Sequence, residues 1–565
     1  MRPFKKSLFV LSMVMTMALF APAILAQQTT VPAKSGADAG PSDLKISGEV
    51  GAFGELYNIS GQEERRPGST GRLYLRSTLT AWNSLSIDFN FILSSENSSA
   101  RQALNKFGIN PRWGWGEAHL GSFNESYSPL TLSGIEIRGG GIRLRNGLLR
   151  LGLITGLTRR EVSGNGSNKS YRRLMSGGFI GIGKQGGTSF ELIALTARDR
   201  LSDVIDSIST ASDTTATDTI PSSQSVTPQE NLIVSALTNI ALSKRKIVLK
   251  SEISGCAITR DRRSAELESS DIPQFAKDIF TPRVSSSADF ASMNELNLNL
   301  GKTSFKTGYN YIGPGYVSLG VASLLADKQE IFFGITQRLR RGTVRLDLSH
   351  QNDNLIKQKS FTTDRNRINS TLNIRPLASW GLNLAINYQT IKNDASDSIR
   401  AVDYHNLVIS NNHTISFRRN IGLRNILFDY IFQTSKDDNK LRKSSGVDAH
   451  TFSIRLPFGF KENLDMTPQL GIGSSRIAKG SWKNTFSASL LTQSSLLQGK
   501  LVSSYQIGFN KAAGSKTFQN SVRGNYRLDE RSVVSLELSQ NSFRGDGDQQ
   551  DFDEFSAQLT ISRQF

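Results

Sequence analysis

The chain has 565 residues, of which 38% are hydrophobic and 21% charged, and its formal net charge is +18. A single cysteine, Cys256, excludes an internal disulfide. The five histidines are scattered, and no phosphate-binding loop or Cys–His cluster is present. We therefore predict that the protein is not an enzyme and holds no cofactor.

The first 26 residues have the pattern of a secretory signal peptide. The apolar run "LFVLSMVMTMALFAPAILA" ends in small residues and follows three cations, Arg2, Lys5 and Lys6. Such segments are removed during export, and we predict cleavage after Ala23 or Ala26, with a short segment over 27–43 before the first strand. Because the chain is exported and lacks a compact basic motif, we expect no nucleic-acid partner. Anionic lipids or solutes fit its positive charge better.

From residue 44 onward, apolar and polar residues alternate in segments of close to ten residues. Alternation places apolar side chains on one face of a β-strand and polar ones on the other. Ten residues suit a tilted strand that crosses a bilayer, whereas ordinary strands have five or six. No later stretch has 18 consecutive apolar residues, so no spanning helix is predicted. The clearest segments are 84–94, 343–351, 380–390 and 531–541.

Between these segments, long and short connections alternate along the chain. The long connections are predicted at 159–170, 200–229, 259–288, 313–329, 352–365, 391–403, 435–447, 510–517 and 542–553. The short ones are predicted at 146–147, 184–187, 242–245, 301–302, 340–342, 376–379, 418–422, 493–497 and 528–530. Long connections on one side of a sheet and short ones on the other are typical of transmembrane barrels.

The chain ends "FSAQLTISRQF", in which Phe555, Ala557, Leu559, Ile561 and Phe565 share one face of a strand. With the signal peptide and the alternating strands, this ending resembles the outer-membrane β-barrel class of Gram-negative bacteria. The resemblance covers 44–565 and implies an all-β, single-chain, transmembrane antiparallel barrel with short periplasmic turns and long extracellular loops. It implies that both termini are periplasmic, that outer-membrane lipid and lipopolysaccharide surround the barrel, and that the barrel-assembly machinery reads Phe565.

The alternation yields about 25 strands, but bacterial single-chain barrels of this class have even numbers. We therefore predict 26 strands, with 24 as the alternative within a range of 22–26. The even number fails somewhere in 44–145, where residues 98–134, "SSARQALNKFGINPRWGWGEAHLGSFNESYSPLTLSG", are hard to divide into strands. Either a further strand lies there or part of the segment folds inward.

The polar faces of the strands carry charges that would line the lumen of a barrel. Arginine exceeds the acids, which predicts a pore that weakly favours anions. The alternative is a network of cross-strand ion pairs that holds the wall together, for instance Arg345 beside Asp347. The lumen-lining candidates are Arg72, Arg76, Asp88, Arg338, Arg345, Asp347, Arg367, Arg375, Asp429, Arg523 and Glu537.

Two further charged groups lie in the connections. The acids Asp546, Asp548, Asp551 and Asp553 superficially resemble a calcium loop but lack the glycine and the distal glutamate of an EF-hand, so we predict a solvated loop and no metal site. The short connections gather cations that fit anionic lipid head groups or plain solvated turns. These cations are Lys244, Arg245, Lys246, Arg340, Arg341, Arg418 and Arg419.

Two functions fit this pattern. The first is an outer-membrane, porin-like channel for solutes or a polymer, and the second is a non-conducting anchor for surface loops or for a periplasmic or surface partner protein. A barrel of this size is expected to be filled, because large barrels carry a plug or a partner. We expect the filling to come from 200–229, 259–288, 95–113 or another chain, with 259–288 favoured because "DIPQFAKDIFTPRV" contains apolar residues.

Overall fold

The computed structural model describes residues 44–82, 84–96, 102, 104–162, 169–184, 186–201, 226–267, 280–417, 421–439, 441–442, 445–478, 480–546 and 549–565. The predicted signal peptide and the segment 27–43 lie outside the described residues. Within the described residues there is no α-helix, and hence no helix long and apolar enough to cross a membrane.

The described chain forms 26 antiparallel strands. Numbered β1 to β26 in chain order, they are Leu44–Ser60, Ser69–Ala81, Leu85–Ser94, Lys106–Trp113, Gly116–Asn124, Glu136–Asn146, Leu149–Arg159, Arg173–Gly183, Ser189–Asp199, Glu230–Leu242, Ile247–Thr259, Ser286–Leu300, Thr303–Ile312, Lys328–Leu339, Gly342–Asn352, Thr363–Leu377, Trp380–Asn393, Asp403–Ser416, Gly422–Leu423 with Asn425–Asp437 (β19), Val447–Arg455 with Phe458–Lys461 (β20), Leu464–Ile477, Lys483–Leu496, Leu501–Ala512, Ser515–Arg527, Ser532–Gly545 and Phe552–Gln564. β19 and β20 are each interrupted once, β20 at Pro457, which has no N–H for the ladder.

The sheet closes on itself. Each strand pairs with its neighbours in sequence, and β1 pairs with β26 from Glu49 opposite Gln564 to Ser60 opposite Asp553. At the seam, the Phe565 N–H donates to the Gly48 carbonyl at 3.0 Å and the Gly48 N–H donates to the Phe565 carbonyl at 2.9 Å. The prediction of a 26-stranded antiparallel barrel is confirmed, while the role of Phe565 as an assembly signal stays a prediction.

The segment 98–134 contains two strands, β4 and β5, joined by the two-residue turn 114–115. This accounts for the even strand number. Twelve short connections of two to five residues lie at one rim of the barrel, which we call the turn rim, and the other connections lie at the opposite rim, which we call the loop rim. The predicted long loop at 510–517 is wrong, because β23 and β24 meet in a tight hairpin over 513–514 in which Gly514 has a φ of +84°.

Glycines let large side chains pack against the inner face of β6 to β8. The Phe179 ring lies directly over Gly152 on the neighbouring strand, where an added Cβ would come within 2.7 Å of the ring carbon Cδ1. Phe179 is itself 6% exposed and belongs to a buried cluster with Ile154 and Ile193. Only glycine therefore leaves room for this packing.

We expect Gly152→Ala to lower the free energy of unfolding by about 1–3 kcal/mol, the usual cost of overpacking a dense core. Urea unfolding in lipid vesicles would measure it. Gly255→Ala is the matched control, because nothing lies within 4 Å of the position of its added Cβ. Equal effects of the two substitutions would contradict the packing explanation.

Candidate functional site: a partly filled lumen

Two connections of the loop rim fold into the barrel. They are 125–135, between β5 and β6, and 313–327, between β13 and β14. Loops at a barrel rim normally face water, but Leu130, Thr131 and Leu132 are fully buried and Tyr316 is 1% exposed. We call these two segments the inner loops.

Polar groups fasten the inner loops to the wall. The Ser128 hydroxyl donates to the Glu252 carboxylate of β11 at 2.5 Å. The Tyr316 hydroxyl donates to the Leu130 carbonyl at 3.0 Å and lies 2.7 Å from Ser254 Oγ. Burial raises the pKa of the Tyr316 phenol above its ordinary value. Because buried polar groups left without partners are costly, these bonds favour one fixed position of the loops.

The inner loops also bind each other. The Ser133 N–H donates to the Gly320 carbonyl at 2.9 Å, and the Ala322 N–H donates to the Ser133 carbonyl at 3.1 Å. These two bonds form a short parallel bridge between Ser133 and Val321. In addition, the Ser318 hydroxyl donates to the Thr131 carbonyl at 2.7 Å. The two loops therefore form one folded unit inside the barrel.

Apolar packing completes the contact between the inner loops and β5 to β13. Leu132 packs with Ile137, Met175 and Leu195, and Leu130 packs with Ile233 and Tyr316. On β7 to β10, apolar side chains occupy both faces. The outward face exposes Leu153, Ile180, Leu192 and Val234, and the inner face buries Ile154, Phe179, Ile193 and Ile233. Apolar residues on both faces of the strands within 149–199 and 230–242 are the signal that could have located the filled side of the lumen.

The expectation that 95–113 fills the lumen is wrong for 106–113, which forms β4. Residues 202–225 and 268–279 of the two other candidate loops lie outside the described residues, so for them the expectation stays a prediction. The described ends of 259–288 pair through an antiparallel bridge between Glu266 and Arg283. The described filling instead comes from 125–135 and 313–327, which the sequence analysis did not select.

The strand registers locate the predicted lumen charges. Directly opposed residues share a face, and the unbroken series of registers around the barrel places all eleven candidates on the face that carries Glu252 and Ser254. The inner loops contact that face, so it is the inner one. The opposite face exposes large apolar side chains around the barrel, such as Ile331, Phe452 and Leu536.

The protein has the architecture of an outer-membrane β-barrel. Its wall is apolar outside and its lumen is polar where the inner loops do not cover it, which is the arrangement of that class.

Seven of the eleven charges form ion pairs with described residues. The bonded atoms lie 2.6 Å apart in the pair of Arg345 with Asp347, 2.5 Å in Arg523 with Glu537, 3.0 Å in Asp88 with Arg112, 3.1 Å in Arg72 with Glu96 and 3.3 Å in Asp429 with Arg455. These pairs leave little net charge along their part of the wall.

The other four charges, Arg76, Arg338, Arg367 and Arg375, have no carboxylate within 4 Å among the described residues, and all four are exposed. Arg338 and Arg367 lie on β14 and β16, which flank the Arg345–Asp347 pair of β15. Arg375 lines a cavity of about 530 Å³ at the turn rim together with Asn383 and Asn412. Arg338, Arg367 and Arg375 therefore add positive charge to the part of the inner wall that the described inner loops do not contact.

Sequence reasoning missed a second arginine group on the filled half. Arg112, Arg143, Arg145 and Arg150 line a cavity of about 390 Å³ near the turn rim, together with Glu117. Arg143 pairs with Glu125 of the first inner loop, and Arg150 pairs with Glu191. This group is charge-balanced and also ties the inner loop to the wall.

Asp327 ends the second inner loop and anchors it to the neighbouring loop 353–362. The residue is 7% exposed. Its carboxylate pairs with Lys359 and accepts the N–H of Asn354 at 3.0 Å and of Leu355 at 2.8 Å. Burial by itself would raise the pKa of Asp327, but the bonds from Lys359 and the two N–H groups outweigh it, so this pKa lies below its usual range.

We expect channel currents to become noisier as the pH falls below the ordinary aspartate range and through the depressed pKa of Asp327, where its carboxylate gains a proton. A depressed folded-state pKa adds stability above the unfolded-state value of about 3.9, and that stability is lost as the pH falls through the folded-state value. Asp327→Asn should produce the same noise at neutral pH. Single-channel recording between pH 7 and pH 3 would test this, and quiet currents from Asp327→Asn at neutral pH would contradict it.

In the acidic loop near residue 550, two of the four acids bind groups of the protein itself. Both carboxylate oxygens of Asp553 accept from Arg544 Nη2 at 2.9 Å. Asp551 accepts the Gly545 N–H, also at 2.9 Å. Asp546 lies in the same connection, and Asp548 lies outside the described residues. No group of three or more potential metal ligands occurs in the described part of the chain.

Comparison with known proteins yields only remote likenesses in structure. No protein-family model matches the chain, and no curated protein matches it. The P pilus usher PapC pore is similar at 11% identity over 92% of this chain and 99% of the other, with a TM-score of 0.36. The siderophore receptor PirA of Pseudomonas aeruginosa is similar at 10% identity over 93% of this chain and 81% of the other, with a TM-score of 0.41. OpdK of Pseudomonas aeruginosa with vanillate is similar at 10% identity over 60% of this chain and 93% of the other, with a TM-score of 0.30. Scores this low transfer no function or substrate to this chain.

Proposed function

We propose that the protein is a bacterial outer-membrane channel whose own inner loops fill one side of the lumen and whose other side passes hydrated solutes, with a preference for anions. The proposal includes periplasmic termini, a surrounding of outer-membrane lipid and lipopolysaccharide, and insertion by the barrel-assembly machinery. It is a transport function without chemistry on the solute.

The observation that carries this proposal is the polar inner face of β14 to β26, which the described inner loops do not contact. The described inner loops contact β5 to β13, and the remaining inner face is rich in uncharged polar side chains. Such side chains can replace part of the hydration shell of a passing solute. They include Asn369, Asn373, Asn383, Asn387, Gln389, Asn412, Gln469, Gln493, Gln506 and Asn525.

The size of the wall supports an open path as well. Strands about 4.8 Å apart and tilted by about 40° give a 26-stranded wall a circumference of roughly 160 Å. Barrels of 16–18 strands already hold an aqueous channel. Two inner loops on one side are therefore compatible with a continuous path on the other.

Conductance in planar bilayers tests the proposal. Folded protein, identified by a shift in gel mobility between unheated and boiled samples, should produce stable current steps. Under a salt gradient, the sign of the zero-current potential should show that the channel is more permeable to anions than to cations. Graded polyethylene glycols that enter or fail to enter the pore would then measure its width and distinguish a path for small solutes from one for a polymer. Silence from folded protein would overturn the channel and favour the non-conducting anchor.

A further inference from the structure

The two rims of the barrel differ in charge. Among the described residues of the twelve short connections there are nine cations and three carboxylates, whereas the described residues of the long connections hold fourteen of each. A barrel with this number of strands and these loop lengths could form without such an excess of cations at the turn rim. The nine cations are Lys184, Lys244, Arg245, Lys246, Lys302, Arg340, Arg341, Lys500 and Arg531.

The turn-rim cations lack anionic partners within the protein. All nine are exposed, and none has a described carboxylate within 4 Å. At the loop rim, by contrast, Arg66, Arg262, Arg283 and Lys359 all pair with acids. Among the described residues, the turn rim therefore presents positive charge that is available to an external anion.

Six of these cationic turns also carry a large exposed apolar side chain within three residues of a cation. The exposed fractions are 53% for Leu242, 54% for Leu300, 46% for Leu339, 61% for Leu497, 53% for Leu528 and 62% for Ile182. Four of the five tryptophans lie at the same rim: Trp82, Trp113, Trp115 and Trp380. Apolar and aromatic side chains next to cations are typical of a surface that sits at a lipid head-group layer.

One turn holds its cations at a conformational cost. Lys244 and Arg245 have φ values of +55° and +69°, a region that glycine or asparagine adopts more easily. Two neighbouring cations at such positions in the turn 243–246 indicate that their charge is useful there.

We propose that the turn rim is a binding surface for anionic phospholipid head groups of the phosphatidylglycerol class. A head-group layer fits better than an acidic protein, because cation and apolar side chain recur in six turns along the barrel from β8 to β25, whereas a protein partner needs one contiguous patch. Placing this rim in the periplasmic leaflet rests on the proposed function. The lipid preference itself is a property of the purified barrel.

The experiment compares lipids by fluorescence quenching. In a Trp482→Phe background, every remaining tryptophan lies at the turn rim. Brominated phosphatidylglycerol or brominated phosphatidylcholine in mixed vesicles then quenches in proportion to its occupancy of that rim. We expect several-fold preference for the anionic lipid, reduced close to equality by the variant Lys244→Asn, Arg245→Asn, Lys246→Gln, Arg340→Gln and Arg341→Gln.

The matched control removes five cations at the loop rim: Lys169→Gln, Arg172→Gln, Arg200→Gln, Lys357→Gln and Arg400→Gln. We expect this control to keep the preference, and heat-dependent gel mobility verifies that each variant is folded. Equal quenching by both lipids in the parent, or equal loss of preference in both variants, would overturn the proposal. So would an unchanged lipid preference with loss of a co-purifying acidic periplasmic protein. A lipid preference in a protein that does not conduct would contradict the proposed channel function but would still support the lipid-binding surface.

Discussion

Replacing residues 126–134 with a short glycine–serine linker is expected to raise the single-channel conductance several-fold. The replacement removes Leu130, Thr131 and Leu132 from the lumen. It also removes the partners of Ser318 and Tyr316, so that the second inner loop loses its folded neighbour. A wider water-filled cross-section carries more ions, and planar-bilayer recording measures the change directly.

A milder variant separates opening from misfolding. Leu132→Ala leaves the chain length intact but removes packing that typically contributes about 2–5 kcal/mol for a buried leucine. It should produce brief excursions to the larger conductance of the linker variant. If the folded linker variant conducts no better than the parent protein, the current does not pass beside the inner loops, and they have a purely structural role.

The second large effect is expected on ion selectivity. The triple variant Arg338→Gln, Arg367→Gln and Arg375→Gln should bring the permeability ratio of chloride to potassium down to about one, because these exposed arginines have no described carboxylate within 4 Å and supply the positive field. The conductance should change little, since glutamine is polar and shorter than arginine and therefore does not narrow the path. The zero-current potential under a potassium chloride gradient measures the ratio.

The matched control removes an ion pair rather than a free charge. Arg523→Gln with Glu537→Gln eliminates partners 2.5 Å apart on the same inner wall and leaves the net charge unchanged. We expect the selectivity of this double variant to match that of the parent protein. Equal shifts in the triple variant and in the control would show that these three unpaired arginines do not set the field, and would favour the wall-holding interpretation of the lumen charges.

The strand pattern was predictable because it depends on local geometry. In segments such as 380–390 and 531–541, every second side chain is apolar, and the parity of a residue decides its face whatever lies on the far side of the barrel. β4 and β5 were harder to separate, because β4 contains Pro111 and the turn between them is only Gly114 and Trp115. Parity also placed the lumen-lining candidates on one face, but it carried no information about their partners.

The partners of the lumen charges could be identified only from the registers of the neighbouring strands. Arg345 and Asp347 are two residues apart on one strand, so the sequence alone predicts that they lie side by side on the same face. Arg523 on β24 lies opposite Glu537 on the neighbouring strand β25. Arg72 on β2 pairs with Glu96, which lies in the connection that follows β3. Since each of these contacts depends on how neighbouring strands align, the sequence left the choice between free charge and ion pair open.

By itself, the sequence determined that this chain forms long two-faced strands with short and long connections in alternation, because side-chain parity and turn chemistry act over a few residues. Only the tertiary structure decided which connections enter the lumen. Leu130 and Tyr316 are 186 residues apart and meet through one hydrogen bond inside the closed wall. Their contact exists because closure of 26 strands brings the two inner loops to the same side of the lumen, and no local pattern encodes that distance.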